Sequence, residues 1–229
     1  MTDSAVRTIT DQALSRAEVA ALAREPGAVH LSGVDLEEAD LSGLLLAGWT
    51  FERCVLRRAR LVDAKLEGAR WIACRAAMAD FSGADLTEAE VRSGDFNNVS
   101  FRRTALAGAA FTGCKLTGAD FTDARALGAV FDEALLIDAK LPGFSFRKAR
   151  LHKLDLSQAD LRRADFRDAV FEDASLRGAN LVDARFEGAD LRGADLGGLR
   201  LVDAARFRGA VISKSQAAGL LAELGLQVR

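Results

Sequence analysis

The stretch Ala79-Asp80-Phe81-Ser82-Gly83-Ala84-Asp85-Leu86 begins to repeat itself after five residues. A small residue is followed by Asp, then a large apolar residue, then two further positions. Followed outward at that spacing, the large apolar position recurs from Leu31 to Leu201 without a slip. Of its 35 occurrences, 20 are Leu and 11 are Phe, so the column is a candidate core; Trp71, Ala76, Val91 and Ala126 are the exceptions. Two residues before each centre the chain is small, with Ala in 22 of the 35 cases and all three cysteines, Cys54, Cys74 and Cys114, in the same column. Asp often stands immediately before the centre, as at Asp35, Asp80 and Asp190, and Gly two residues after it, as at Gly33 and Gly43.

A period of five suits neither a helix, which returns to one face every 3.6 residues, nor a strand, which returns every two. The chain must therefore turn once per unit, sending one large and one small side chain inward and leaving three positions outside. Stacked turns can then pair their backbones and bury a continuous core. The small column lets two inward residues per unit fit a narrow interior. Large residues in that column, Leu44, Trp49, Phe144, Leu154 and Leu199, read as local core adjustments.

The A-D-L-x-x unit resembles the pentapeptide-repeat family across the span from Leu31 to Leu201, and the layout of the chain is most similar to the Qnr-type topoisomerase-protecting proteins. The resemblance implies an all-β solenoid, a right-handed quadrilateral β-helix with four units per coil. Its 35 units make nearly nine coils. With strands about 4.8 Å apart, the rod would be roughly 40 Å long.

Three regions are expected: residues 1–28, an N-terminal segment with a short capping helix; 29–212, the repeat; and 213–229, a C-terminal helix for capping or dimerisation. In the first region Ser15 and Glu18 match a capping box at the start of a helix through Arg24, with Gly27 just beyond it. After Leu201 the apolar residues fall at Phe207 and Ile212, one residue later than the register requires, so one residue is inserted near Ala204-Ala205. Ser213 and Gln216 form a second box, and Gly225 ends the helix they open. Ala217, Leu220, Leu221 and Leu224 share a face of it, with Leu226 following. The resemblance to Qnr-type tails implies a homodimer interface through these five residues. The residues themselves also permit a cap folded onto the last coil.

A formal charge of −2 leaves no basic excess for phosphate neutralisation, so direct nucleic-acid binding is not expected. No apolar run approaches the ~20 residues of a membrane helix. The N-terminal MTDSAVRTITDQ has no secretory-signal pattern, and three unclustered cysteines suit a reducing compartment, which together point to the cytoplasm. The cysteines, 20 and 40 residues apart in the inward small column, read as core rather than metal ligands. With two histidines, no nucleophile–base motif and no phosphate loop, the chain reads as a non-enzyme without cofactor or metal.

The resemblance implies a protein partner, DNA gyrase or topoisomerase IV, bound by imitation of DNA and protected from quinolones or natural topoisomerase poisons. Such imitation needs an acidic stripe, yet each of the four faces sums close to neutrality over its whole length. The sharpest acidic clusters are local: Asp35-Glu37-Glu38, and the band Asp80, Asp85, Glu88 and Glu90, which supplies the candidate partner-binding residues. Because Asp80, Asp85 and Glu90 point outward, reversing their charge is expected to spare the fold. The competing reading is a protein-interaction scaffold or effector with no topoisomerase role. The most basic stretch, Arg147 to Lys153, reads either as a solvated face or as a site for an acidic partner.

Overall fold

The computed structural model describes residues 6–199, 204–223 and 225–227; Leu201, Leu224 and Val228 lie outside them. The five-residue spacing is met by a chain that turns a corner in every unit. Two residues after every described centre but Leu191 the backbone enters the left-handed region, with φ of +70° at Gly43, +58° at Glu38 and +56° at Arg58. Glycine adopts this conformation without strain, which accounts for its frequency at the corner. On three of the four sides the small residue's amide closes the corner onto the carbonyl of the centre three residues earlier. Ala39 N to Leu36 O (3.1 Å), Ala64 N to Leu61 O (3.2 Å) and Ala69 N to Leu66 O (3.0 Å) are examples.

Four such corners complete a coil, and successive coils pair in parallel twenty residues apart, giving one ladder per side. Thr50 pairs with Arg70, Val55 with Arg75, Arg60 with Asp80 and Lys65 with Asp85. The result is the quadrilateral β-helix expected, divided into two compact units, Met1–Val130 and Phe131–Arg229.

In the first unit, β1 (Arg7–Thr10) and α1 (Arg16–Arg24) precede the strands of one side: β2 (Val29–Ser32), β3 (Thr50–Glu52), β4 (Arg70–Ile72), β5 (Glu90–Arg92) and β6 (Ala110–Thr112). Strand β7 (Val130–Asp132) straddles the division between the units. The core is a column of rings, with Phe51 stacked on Trp71 at 4.0 Å and Phe101 lying 5.4 Å from Phe81 and 4.9 Å from Phe121. Trp71 is followed at the next centre by Ala76, so a very large and a very small buried side chain share that coil. Gly94 occupies the small column because a Cβ there would meet the Phe96 ring at 2.4 Å.

Helix α1 has the expected capping box, with Ser15 and Glu18 bonded reciprocally and Val19 buried. Strand β1 was not foreseen. It pairs with β2 and sets Ile9 beside Leu31, an offset of 22 residues that takes it off the five-residue column. Its Arg7 clasps the Glu25 carboxylate and donates to Leu22 O, holding the end of α1.

The second unit carries β8 (Arg150–His152), β9 (Val170–Glu172), β10 (Ala174–Ser175) and β11 (Ala194–Asp195). Phe146, Phe166, Phe186 and Phe207 stack at successive spacings of 4.9 Å, with planes within 8° of parallel. The last step spans 21 residues, as does the Asp190–Val211 bridge, and the 3-10 turn Ala204–Phe207 takes up the extra residue. Helix α2 (Lys214–Glu223) begins with the foreseen box: Gln216 N donates to Ser213 Oγ, and Ser213 N to Gln216 Oε1. Of the large residues in the small column, Trp49, Phe144, Leu154 and Leu199 are buried and Leu44 is half-buried. No helix among the described residues is long and apolar enough to cross a membrane.

Candidate protein-binding faces

The Asp before each centre is engaged by its own backbone. Asp80 Oδ1 accepts the Ser82 amide at 2.9 Å, and Asp85 Oδ1 accepts the Thr87 amide at 3.1 Å and the Thr87 hydroxyl at 2.7 Å. Asp35, Asp40, Asp95, Asp120, Asp155 and Asp190 make the same contact two residues on. The carboxylate satisfies an amide that the corner leaves outside the ladder, an Asx turn repeated at many corners. Burial works against ionisation of Asp85, yet the Thr87 hydroxyl and amide hold its carboxyl below the ordinary range.

The four candidate partner-binding carboxylates therefore differ. Asp80 and Asp85 are half-buried and tied to their turns, and Glu90 is bridged to Arg92 at 3.0 Å. Glu88 is exposed at a corner, with φ of +57°. The expectation that Asp80, Asp85 and Glu90 could be reversed without touching the fold is opposed at Asp80 and Asp85, whose loss would strip a corner amide of its acceptor. The outward carboxylates are widely matched by neighbouring cations: Arg57 with Glu37 (2.8 Å), Arg102 with Asp120 (3.1 Å), and Arg162 with Asp160 (2.7 Å).

Three members of the basic stretch are also paired across coils. Arg150 reaches Glu172 at 2.6 Å, Lys153 reaches Glu133 at 2.8 Å, and His152 Nδ1 lies 2.8 Å from Asp132. Inside, the three cysteines are buried free thiols. Each donates to the carbonyl of a centre 23 residues earlier: Cys54 to Leu31 O, Cys74 to Phe51 O and Cys114 to Val91 O, at 3.2–3.4 Å. The adjoining Cys54 thiol and burial push Cys74 far above the usual thiol range, and burial raises Cys114. Among the described residues, no cluster of His, Cys, Asp and Glu is arranged to hold a metal ion.

At the C-terminal end the candidate interface splits. Leu220 is buried and Ala217 half-buried, whereas Leu221 (38% exposed) and Leu226 (55%) are open; Leu224 lies outside the described residues. Val211 and Ile212 add apolar surface that the candidate set did not include. Ile212 was expected to point inward as the last centre, but it is 37% exposed. The one-residue register shift was the signal that this coil is irregular.

The pentapeptide-repeat family model matches residues 30–70, 72–103, 104–134, 129–168 and 169–204, with eight copies. The chain belongs to the pentapeptide-repeat family. A search of curated proteins returns no relative by sequence. Among solved pentapeptide-repeat structures, HetL from the cyanobacterium Nostoc sp. strain PCC 7120, involved in heterocyst differentiation regulation, is 25% identical with a TM-score of 0.50. That likeness covers 82% of this chain and 86% of HetL. Full-length QnrB1, a plasmid-mediated fluoroquinolone resistance protein, is 20% identical with a TM-score of 0.59, covering 97% of this chain and 99% of its own. At that identity the likeness to QnrB1 is one of fold.

Proposed function

We propose that this pentapeptide-repeat protein is a non-catalytic, cytoplasmic protein-binding module. The observation that carries the reading is the division of labour in each unit. Two positions fill the core and the Asp position commonly closes a corner, which leaves outward side chains held in rows on rigid ladders. Such rows suit recognition of a protein surface, because their spacing is fixed before the partner arrives. The test is affinity capture of partners by the pure protein, repeated with outward positions such as Glu88 and Arg103 substituted. A captured protein that is lost with these changes, at unchanged melting temperature, supports the reading. Failure of outward changes to alter any capture removes it.

A second copy of the chain is the proposed occupant of the open apolar surface formed by Val211, Ile212, Leu221 and Leu226. Leu220 is buried and Ala217 half-buried, so they contribute less to this contact. Sedimentation should give a dimer for the native protein and a monomer for Leu221→Glu.

DNA gyrase or topoisomerase IV is the second reading for the partner, favoured by the end-to-end likeness in fold to QnrB1. The pairing of most outward carboxylates weighs against DNA imitation, because a phosphate mimic must present free charge. Gyrase supercoiling, titrated with the protein with and without a quinolone, separates the readings. Protection that Glu88→Lys weakens favours topoisomerase binding, and no effect at low salt leaves the general protein-binding module.

A further inference from the structure

One face of the second unit carries an excess of positive charge. On the side built over Phe146, Phe166, Phe186 and Phe207, six cations project: Arg147, Lys148, Arg167, Arg185, Arg206 and Arg208. Only three carboxylates, Asp165, Asp168 and Glu187, stand among them. Arg167 is bonded to Asp165, Arg185 to Glu187, and Arg206 to Asp183 around the corner. Arg147, Lys148 and Arg208 are exposed and have no carboxylate partner among the described residues. On the sides of this unit centred on Leu151 and Leu156, carboxylates outnumber cations. The near-neutral total of each face over the whole chain conceals this segregation, and the inserted residue sharpens it by bringing Arg206 and Arg208 into line above Arg185.

We propose that this basic face is a docking surface for an acidic segment of a protein partner. The inference rests on the protein-binding reading and names the partner's chemistry. Arg supplies planar forks that match carboxylates in pairs, and the stacked rings beneath hold the rows rigid, so little order must be imposed on binding. Nucleic acid fits less well. A duplex would meet the carboxylate-rich flank centred on Leu151, and no aromatic side chain is exposed among the described residues to stack on unpaired bases.

The test uses the full chain and a fluorescent polyglutamate peptide of about ten residues, long enough when extended to cross the face. Anisotropy should report binding in about 0.1 M salt that disappears in about 1 M salt. Combining Arg147→Glu, Lys148→Glu and Arg208→Glu should weaken binding at least about fivefold, as three exposed pairs of a few tenths to one kcal/mol imply. The matched set Arg60→Glu, Arg70→Glu and Arg75→Glu in the first unit should change it less than about twofold on the same scale. If the first set fails to fold, the Gln versions of the same three positions should still weaken binding in the same direction. An oligothymidylate of equal charge should bind more weakly than the peptide. No polyglutamate binding at low salt, equal weakening by both sets, or tighter binding of oligothymidylate overturns the proposal. Any of these results with an intact captured partner removes the basic face alone, whereas absence of any captured partner removes the protein-binding reading beneath it.

Discussion

A single Asp shows how this sequence spends its polar residues. At Asp80 the carboxylate caps the Ser82 amide, so its charge belongs to the corner before it belongs to any partner. A single Phe shows the same for the apolar column. Phe101 is fully buried between Phe81 and Phe121, so Phe101→Ala should cost about 3–5 kcal/mol in a denaturant titration, from lost burial and the cavity left behind. A loss below about 1 kcal/mol would contradict its place in the core. The cysteines test the small column. Native protein should label slowly with a thiol reagent and unfolded protein should show three reactive thiols, because Cys54, Cys74 and Cys114 are buried and free. Prompt native labelling would place that column at the surface.

The elements at the two ends depend on contacts that no repeat dictates. Strand β1 holds its place through backbone pairing with β2 and through Arg7 at the end of α1. Helix α2 is pinned by Gln216, whose Nε2 donates to Leu191 O and Ala194 O at 2.7 Å while its Oε1 accepts the Ser213 amide. Gln216→Ala removes the side-chain half of the box and both tethers, and should cost about 1–2 kcal/mol locally. Hydrogen exchange is the measurement: amides of α2 should exchange faster while those of β3 to β6 keep their protection. Uniform acceleration across both would show instead that α2 unfolds only with the whole chain.

At the scale of the molecule, the recurring Asp turns link stability to pH. Arg162 holds the Asp160 carboxyl below its ordinary range, Arg167 does so for Asp165 and Arg192 for Asp190, each against a smaller opposing effect of burial. Such groups bind fewer protons folded than unfolded. Their contribution is present above the unfolded carboxyl range and is lost as pH falls through the lowered folded values. The denaturant midpoint should therefore stay level from about pH 7 to pH 5 and fall below about pH 4. Asp165→Asn should be less stable at neutral pH and should lose less on acidification. A midpoint unchanged down to about pH 2 would show that these carboxylates contribute nothing.

The sequence by itself determined the repeat, its register, the inward columns and both capping boxes. These follow from spacing and side-chain size, which act within a few residues of each position. It also marked the inserted residue before Phe207, because a slipped period is visible without coordinates. Only the tertiary structure decided which outward charges are free. That depends in part on neighbours 18 to 23 residues away on the next coil, as Arg102 with Asp120 and Arg206 with Asp183 show. Strand β1 was hidden because its offset of 22 breaks the period. The split of the terminal apolar residues, with Leu220 inward and Leu221 and Leu226 open, was hidden because one helical stripe fits a cap and a dimer alike until the last coil is in place.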